Sequence, residues 1–156
     1  MIKKLLSFTL AALTAASVSS SLASFGTANV RSLLKEDSLV VYDEDLGYLK
    51  GIFPDTAVKA FKSNFISDIT VKDASGNAAS DDAPVGTDFT VTADGAEFKT
   101  LVYGDVNRDG KVDTKDVIFM IRKSIGWDID ANMTAFDVNR DGTQNSKDII
   151  LSLIHI

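Results

Sequence analysis

The sequence predicts an α+β chain: a small β-rich domain over residues 38–103, followed by an all-α segment over residues 104–156 built from two loop–helix repeats. Three observations predict it. Apolar and polar residues alternate with period two in Ile69-Thr-Val71-Lys72 and in Phe89-Thr-Val91-Thr92, the pattern of strands with one buried face. Asp94-Gly95 stands between residues 89–93 and 96–103, a two-residue hairpin signal because glycine takes positive φ without steric cost. A twelve-residue acidic pattern also occurs twice, 32 residues apart, and an apolar run follows each copy.

From the N-terminus, Lys3 and Lys4 precede an apolar stretch over 5–18, and Ser21-Leu22-Ala23 offers a small-residue cleavage site. This is the layout of a secretory signal peptide over residues 1–23. The apolar stretch is shorter than the ~20 residues needed to span a bilayer. Residues 24–37 form a weakly patterned lead-in, expected to be partly disordered. Leu39-Val40-Val41-Tyr42 and Tyr48-Leu49-Lys50-Gly51-Ile52 read as a first pair of strands. Pro54-Asp55-Thr56 then opens a short helix whose Val58, Phe61 and Phe65 share one face. Residues 73–84, rich in Ala, Ser, Asp, Asn and Gly, read as a loop. No Pro/Ser/Thr linker follows the β-rich domain, and Tyr103-Gly104 runs straight into the first acidic pattern. Two readings stand: the domain packs against the following segment as a buttress, or the two only abut.

The composition removes whole classes of function. There is no cysteine, so neither disulfide nor thiol chemistry is available. Net charge is −6, and removal of Lys3 and Lys4 with the leader makes it more negative by two, which argues against nucleic acid and anionic membranes as partners. His155, the one histidine, has no partner at catalytic spacing. Asp43-Glu44-Asp45 and Asp81-Asp82 are acidic runs in expected loops, where solvation is their ordinary role. A non-catalytic protein is expected.

The chemistry lies in the repeated pattern. The first copy is Asp105-Val-Asn107-Arg-Asp109-Gly110-Lys111-Val112-Asp113-Thr114-Lys115-Asp116, and the second is Asp137-Val-Asn139-Arg-Asp141-Gly142-Thr143-Gln144-Asn145-Ser146-Lys147-Asp148. Oxygen-bearing side chains fall at positions 1, 3, 5, 9 and 12, with glycine at position 6. That is the ligand spacing of an EF-hand calcium loop, in which position 7 contributes a backbone carbonyl, here that of Lys111 or Thr143. Solvated Asx-turns would explain Asn-x-Asp-Gly but not the donors at positions 9 and 12. Two features depart from an ordinary EF-hand. Position 12 is Asp116 or Asp148 rather than glutamate, and no amphipathic helix precedes either loop. The first loop supplies four carboxylates and the second three, because Asn145 replaces the aspartate of Asp113. The first is therefore expected to bind calcium more tightly; magnesium, which favours a smaller octahedral shell, is the poorer fit. Folding of so small a segment is expected to depend on its metal.

Gly104-Asp105-Val-Asn107-x-Asp109-Gly110-x-Val112 with Asp116, and Phe136-Asp137-Val-Asn139-x-Asp141-Gly142 with Asn145 and Asp148, resemble the type I dockerin family. The resemblance covers roughly residues 103–156, and Gln144 departs from it where an aliphatic residue is usual. It implies a calcium-folded module with two Ca²⁺ ions. Such a module docks onto a cohesin domain of a scaffoldin in an extracellular, cellulosome-like polysaccharide-degrading complex. The protein would be secreted, and monomeric before docking.

In dockerins, the two residues before the closing ligand lead the helix face that selects the cohesin; here they are Thr114-Lys115 and Ser146-Lys147. Without the resemblance, Thr114 and Ser146 are ordinary helix-start residues. Further along the same face, Arg122-Lys123 corresponds to Ile154-His155, an asymmetry that implies a preferred docking orientation. Trp127 is expected to pack over the connection between the repeats, with sugar stacking the alternative. Residues 38–103 loosely resemble small β-rich modules that precede dockerins in secreted Firmicutes proteins, and no site residues carry over. The alternative function makes that module a carbohydrate- or protein-binding cargo recruited by the dockerin.

Overall fold

The computed structural model describes residues 30–155, the side chain of His155 excepted. The leader expected over 1–23 and residues 24–29 lie outside the described residues. Strands β1 (Val41–Asp43), β2 (Tyr48–Lys50), β3 (Thr70–Lys72), β4 (Thr90–Ala93) and β5 (Ala96–Thr100) form one mixed sheet in the order β1-β2-β5-β4-β3. Helix α1 (Val58–Lys62) lies between β2 and β3; α2 (Thr114–Ser124), α3 (Met133–Phe136) and α4 (Ser146–His155) follow the sheet. The chain is α+β.

Alternation places the core. Val71, Val91 and Phe98 pair across β3, β4 and β5 and are buried, whereas Lys72, Glu97 and Lys99 point the other way and are exposed. The β4–β5 turn has φ of 47° at Asp94 and 80° at Gly95, two left-handed residues in succession as a tight hairpin requires. Val58, Phe61 and Phe65 are buried, and the rings of Phe61 and Phe65 meet edge-to-face at 5.3 Å. Each such side chain contributes about 1.5–3 kcal/mol on burial. Residues 30–37 of the lead-in are more ordered than their composition suggests. Residues 30–33 are helical, and Val30, Leu33 and Leu34 enter the main core, with Leu34 bridged to Phe65.

The parallel pairing of β2 with β5 was not apparent in the sequence, and it decides how the two halves meet. Past the end of β5, Val102 continues into the main core, while Leu101, one residue earlier, points to the opposite side. There Leu101 joins Val106, Met120, Ala135 and Phe136 in a second core, with Tyr48 of β2 and Tyr103 packed against it. Side chains on both sides of the expected 103/104 boundary therefore share one core. The two halves pack directly.

The second loop is entered from the single turn of α3, where the sequence suggested no helix at all. Asn132 caps that turn, its Oδ1 accepting from Ala135 N at 2.8 Å. Among the described residues, no helix is long and apolar enough to cross a membrane.

Candidate metal centres and docking face

Both acidic loops fold on the same framework of backbone amides held by side-chain oxygens. In the first, Asp105 Oδ1 and Oδ2 accept from the backbone N–H groups of Asp109 (3.0 Å) and Gly110 (3.2 Å). In the second, Asp137 accepts from Asp141 (3.1 Å) and Gly142 (2.9 Å) in the same way. Asn107 and Asn139 each accept from the residue two further on, at 2.8 Å. Asp116 closes the first loop, accepting from Val106 and Asn107 on one oxygen and from Asp113 on the other. Asp148 closes the second, accepting from Asn139 and Asn145. Arg108 and Gly110, at φ of 69° and 80°, turn the chain back on itself, and Arg140 and Gly142 repeat this at 59° and 81°. A non-glycine residue in that region is uncommon, so its recurrence at position 4 of both loops reflects a demand of the loop itself.

Asp105, Asp116 and Asp148 are fully buried. Burial pushes the Asp105 carboxyl up to about 6, with the Asp116 and Asp109 carboxylates adding to it, although the Thr87 and Gly110 amides pull the other way. Burial also raises Asp116. An ionised carboxylate has about four lone-pair sites, and Asp105 and Asp116 each spend three on N–H groups. Buried acids that face amide donors but lack a cationic partner at the loop centre suit a hard cation. The donor set is a mixed one. Among the described residues, no group of three His, Cys, Asp or Glu is arranged as a metal cluster. The Lys111 side chain is exposed, and the Thr143 hydroxyl donates to Asp141.

The residues expected at the docking face lie at the starts of α2 and α4. Thr114, Lys115, Ser146 and Lys147 are exposed. Thr114 and Ser146 are not the helix caps. Asp113 caps α2 in a reciprocal box with Asp116, and Asn145 accepts from Lys147 N in the equivalent place. The position-9 donor thus also starts the helix. Lys115 lies 3.6 Å from Asp109 and 3.8 Å from Asp113, so part of its charge is directed at the loop. Arg122 sits over the Trp127 ring at 5.3 Å, and Lys123 is turned inward to the Ile129 carbonyl at 3.1 Å. Trp127 is itself 54% exposed, more open than packing over the connection would make it. Ile154 is exposed, and the side chain of His155 lies outside the described residues.

Sequence reasoning missed the apolar part of this face. Ile118 and Ile121 on α2, and their repeat equivalents Ile150 and Leu153 on α4, are all exposed. Their spacing from Thr114 and Ser146, i+4 and i+7, was the available signal. It was hidden in apolar runs whose other members, Val117 and Met120, are buried.

Residues 103–154 match the family model of the dockerin type I domain. The C-terminal third of the chain is a type I dockerin. Dockerins are non-catalytic docking modules that bind cohesin domains, and type I dockerins bind calcium as a family trait. No curated protein and no solved structure matches the chain.

Proposed function

We propose that residues 104–156 form an all-α dockerin of two calcium-binding loop–helix repeats that anchors the chain to a cohesin of a scaffoldin. The setting is a secreted, extracellular polysaccharide-degrading complex of cellulosome type, reached through the leader over 1–23. The single observation that carries the reading is the duplicated framework of carboxylates held by backbone amides, closed in both loops by a buried aspartate, Asp116 or Asp148. Asp105, Asn107, Asp109, Asp113 and Asp116 would hold one ion, with the Lys111 carbonyl. Asp137, Asn139, Asp141, Asn145 and Asp148 would hold the other, with the Thr143 carbonyl. Calcium, when bound, supplies the positive charge that neutralises these acids and ties the start of each helix to its loop. The residues themselves orient the helices, so that Thr114, Lys115, Ile118, Ile121 and Arg122 line one face, and Ser146, Lys147, Ile150, Leu153 and Ile154 the other.

The test is calorimetric titration of the full chain with calcium, then with a panel of cohesins, before and after EDTA. Two calcium ions per chain and cohesin binding that EDTA abolishes are expected. Binding unchanged in EDTA contradicts the reading. A second reading is binding of a small ligand between the two halves, where Phe53 and Asp55 on one side and Val138 and Arg140 on the other help to line a cleft of about 680 Å³. Aromatic walls beside charged groups suit a small polar ligand, and a glycan pull-down with the full chain distinguishes cargo binding from docking alone.

A further inference from the structure

The two acidic loops share one framework but not one environment. The first loop is built into the β-rich module. Thr87 N–H, fully buried, donates to Asp105 Oδ2 at 2.7 Å, a third amide bond on that carboxylate for which the Asp137 bonds above have no counterpart. Asp55 N–H donates to the Gly110 carbonyl at 2.9 Å, next to the peptide of position 7. Asp88 accepts from Arg108 Nε at 2.7 Å and holds position 4 from the module side, while Asp130 takes the other edge of the guanidinium at 2.7 and 3.0 Å. The backbones also touch. A Cβ on Gly86 would lie 2.7 Å from the Arg108 carbonyl oxygen and 3.0 Å from Gly110 N, and one on Gly110 would lie 2.8 Å from Pro84. Among the described residues, the hydrogen bonds of the second loop stay within residues 136–148, and Arg140 meets the earlier part of the chain through the Tyr103 ring at 4.4 Å.

We infer that Gly86, Thr87, Asp88 and Asp55 of the β-rich module are positioning residues of the first calcium site, and that ion binding there and order in the module are thermodynamically linked. This rests on the calcium reading above. Groups that orient ligands from outside the coordination sphere typically change metal affinity by about 10–100-fold when removed. Linkage is reciprocal, so a module that orders the first loop is itself ordered when the loop is filled. The second loop reaches the module only indirectly, through the Asn132 cap of α3, so the module favours one of two similar sites.

The experiment uses the full chain and Ca²⁺ alone. Calorimetry on the parent, Gly86→Ala and Asp88→Ala is expected to show one of two sites weakened by roughly tenfold or more in each variant, with the other unchanged. Amide exchange at Thr87 and Asp55 is the second measurement and does not depend on either of those variants folding. Calcium is expected to slow both amides in the parent and in Asp141→Ala, which disables the second loop. In Asp109→Ala, which disables the first, that slowing is lost. Slowing that survives Asp109→Ala overturns the inference, as does a parent that binds two ions without any change at Thr87 or Asp55. A parent that binds no calcium overturns the reading on which the inference rests, and the calorimetry alone reveals it.

Discussion

Asn132 is 7% exposed and joins three parts of the molecule, so its replacement tests the seam directly. Its Oδ1 caps α3, and its Nδ2 donates to Asp88 at 2.9 Å and to Tyr48 Oη at 3.3 Å. Asn132→Ala removes a cap worth about 0.5–2 kcal/mol. It also removes a hydrogen bond to an ionised group, worth about 1.5–3 kcal/mol when buried. Asp88 is 22% exposed and keeps Tyr48 and Arg108 as donors, so the lower part of that range applies. A loss of about 2–4 kcal/mol follows. For a protein of this size, that corresponds to a fall in Tm on the order of 5–15 °C. Asn132→Asp separates the two effects. It keeps the capping oxygen but sets a second carboxylate against Asp88, so at neutral pH it is expected to be at least as destabilised as Asn132→Ala. Part of that stability returns on acidification, as the pair comes to share a proton. The assay is urea denaturation of the calcium-saturated chain at pH 7 and pH 5. Asn132→Ala within about 0.5 kcal/mol of the parent, the ordinary range of a surface change, would refute the reasoning. So would Asn132→Asp more stable than Asn132→Ala at pH 7.

Burial raises the Asp88 carboxyl, but the bonds from Asn132, Tyr48 and Arg108 outweigh it and leave the group below its usual 3.8. A depressed acid stabilises the fold above its unfolded value and loses that contribution as pH falls through the folded one. Asp88→Asn should therefore flatten the acid limb of a stability–pH curve below about pH 4; an unchanged limb contradicts this. Gly142→Ala meets nothing within 4 Å and carries only its left-handed φ, a cost of about 1–2 kcal/mol. Gly110→Ala adds the collision with Pro84 and should cost about 1–3 kcal/mol more by thermal or urea unfolding. Equal losses would mean that the seam yields freely. At the docking face, Ile118→Asp and Ile150→Asp, measured separately against a bound cohesin, should differ. The variant on the preferred helix loses about ten- to a hundredfold in affinity, and the other loses little. Two single variants that both bind like the parent would mean that either helix serves.

The sequence by itself determined the features that depend on residue type at fixed short spacing. Oxygen donors at positions 1, 3, 5, 9 and 12 with Gly110 or Gly142 at position 6 act within a dozen residues, so the two loops were legible without a fold. The same holds for the Asp94-Gly95 hairpin, the alternation of β4 and the face of α1, which local sterics and period dictate. Tertiary structure decided whatever depends on partners distant in the chain. Tyr48 meets Asn132 across 84 residues, and Asp88 meets it across 44. No local pattern marks these as contacts, because a side chain's preference for a distant partner is expressed only once the strands are registered. The parallel pairing of β2 with β5 sets that register, and it sends Leu101 into one core and Val102 into the other. Thr87 contributes a backbone N–H, a group that every residue except proline carries, so no side-chain pattern could single it out. The stripe of Ile118, Ile121, Ile150 and Leu153 was hidden for a related reason. Apolar residues in a helix are read as core until packing shows which of them nothing covers.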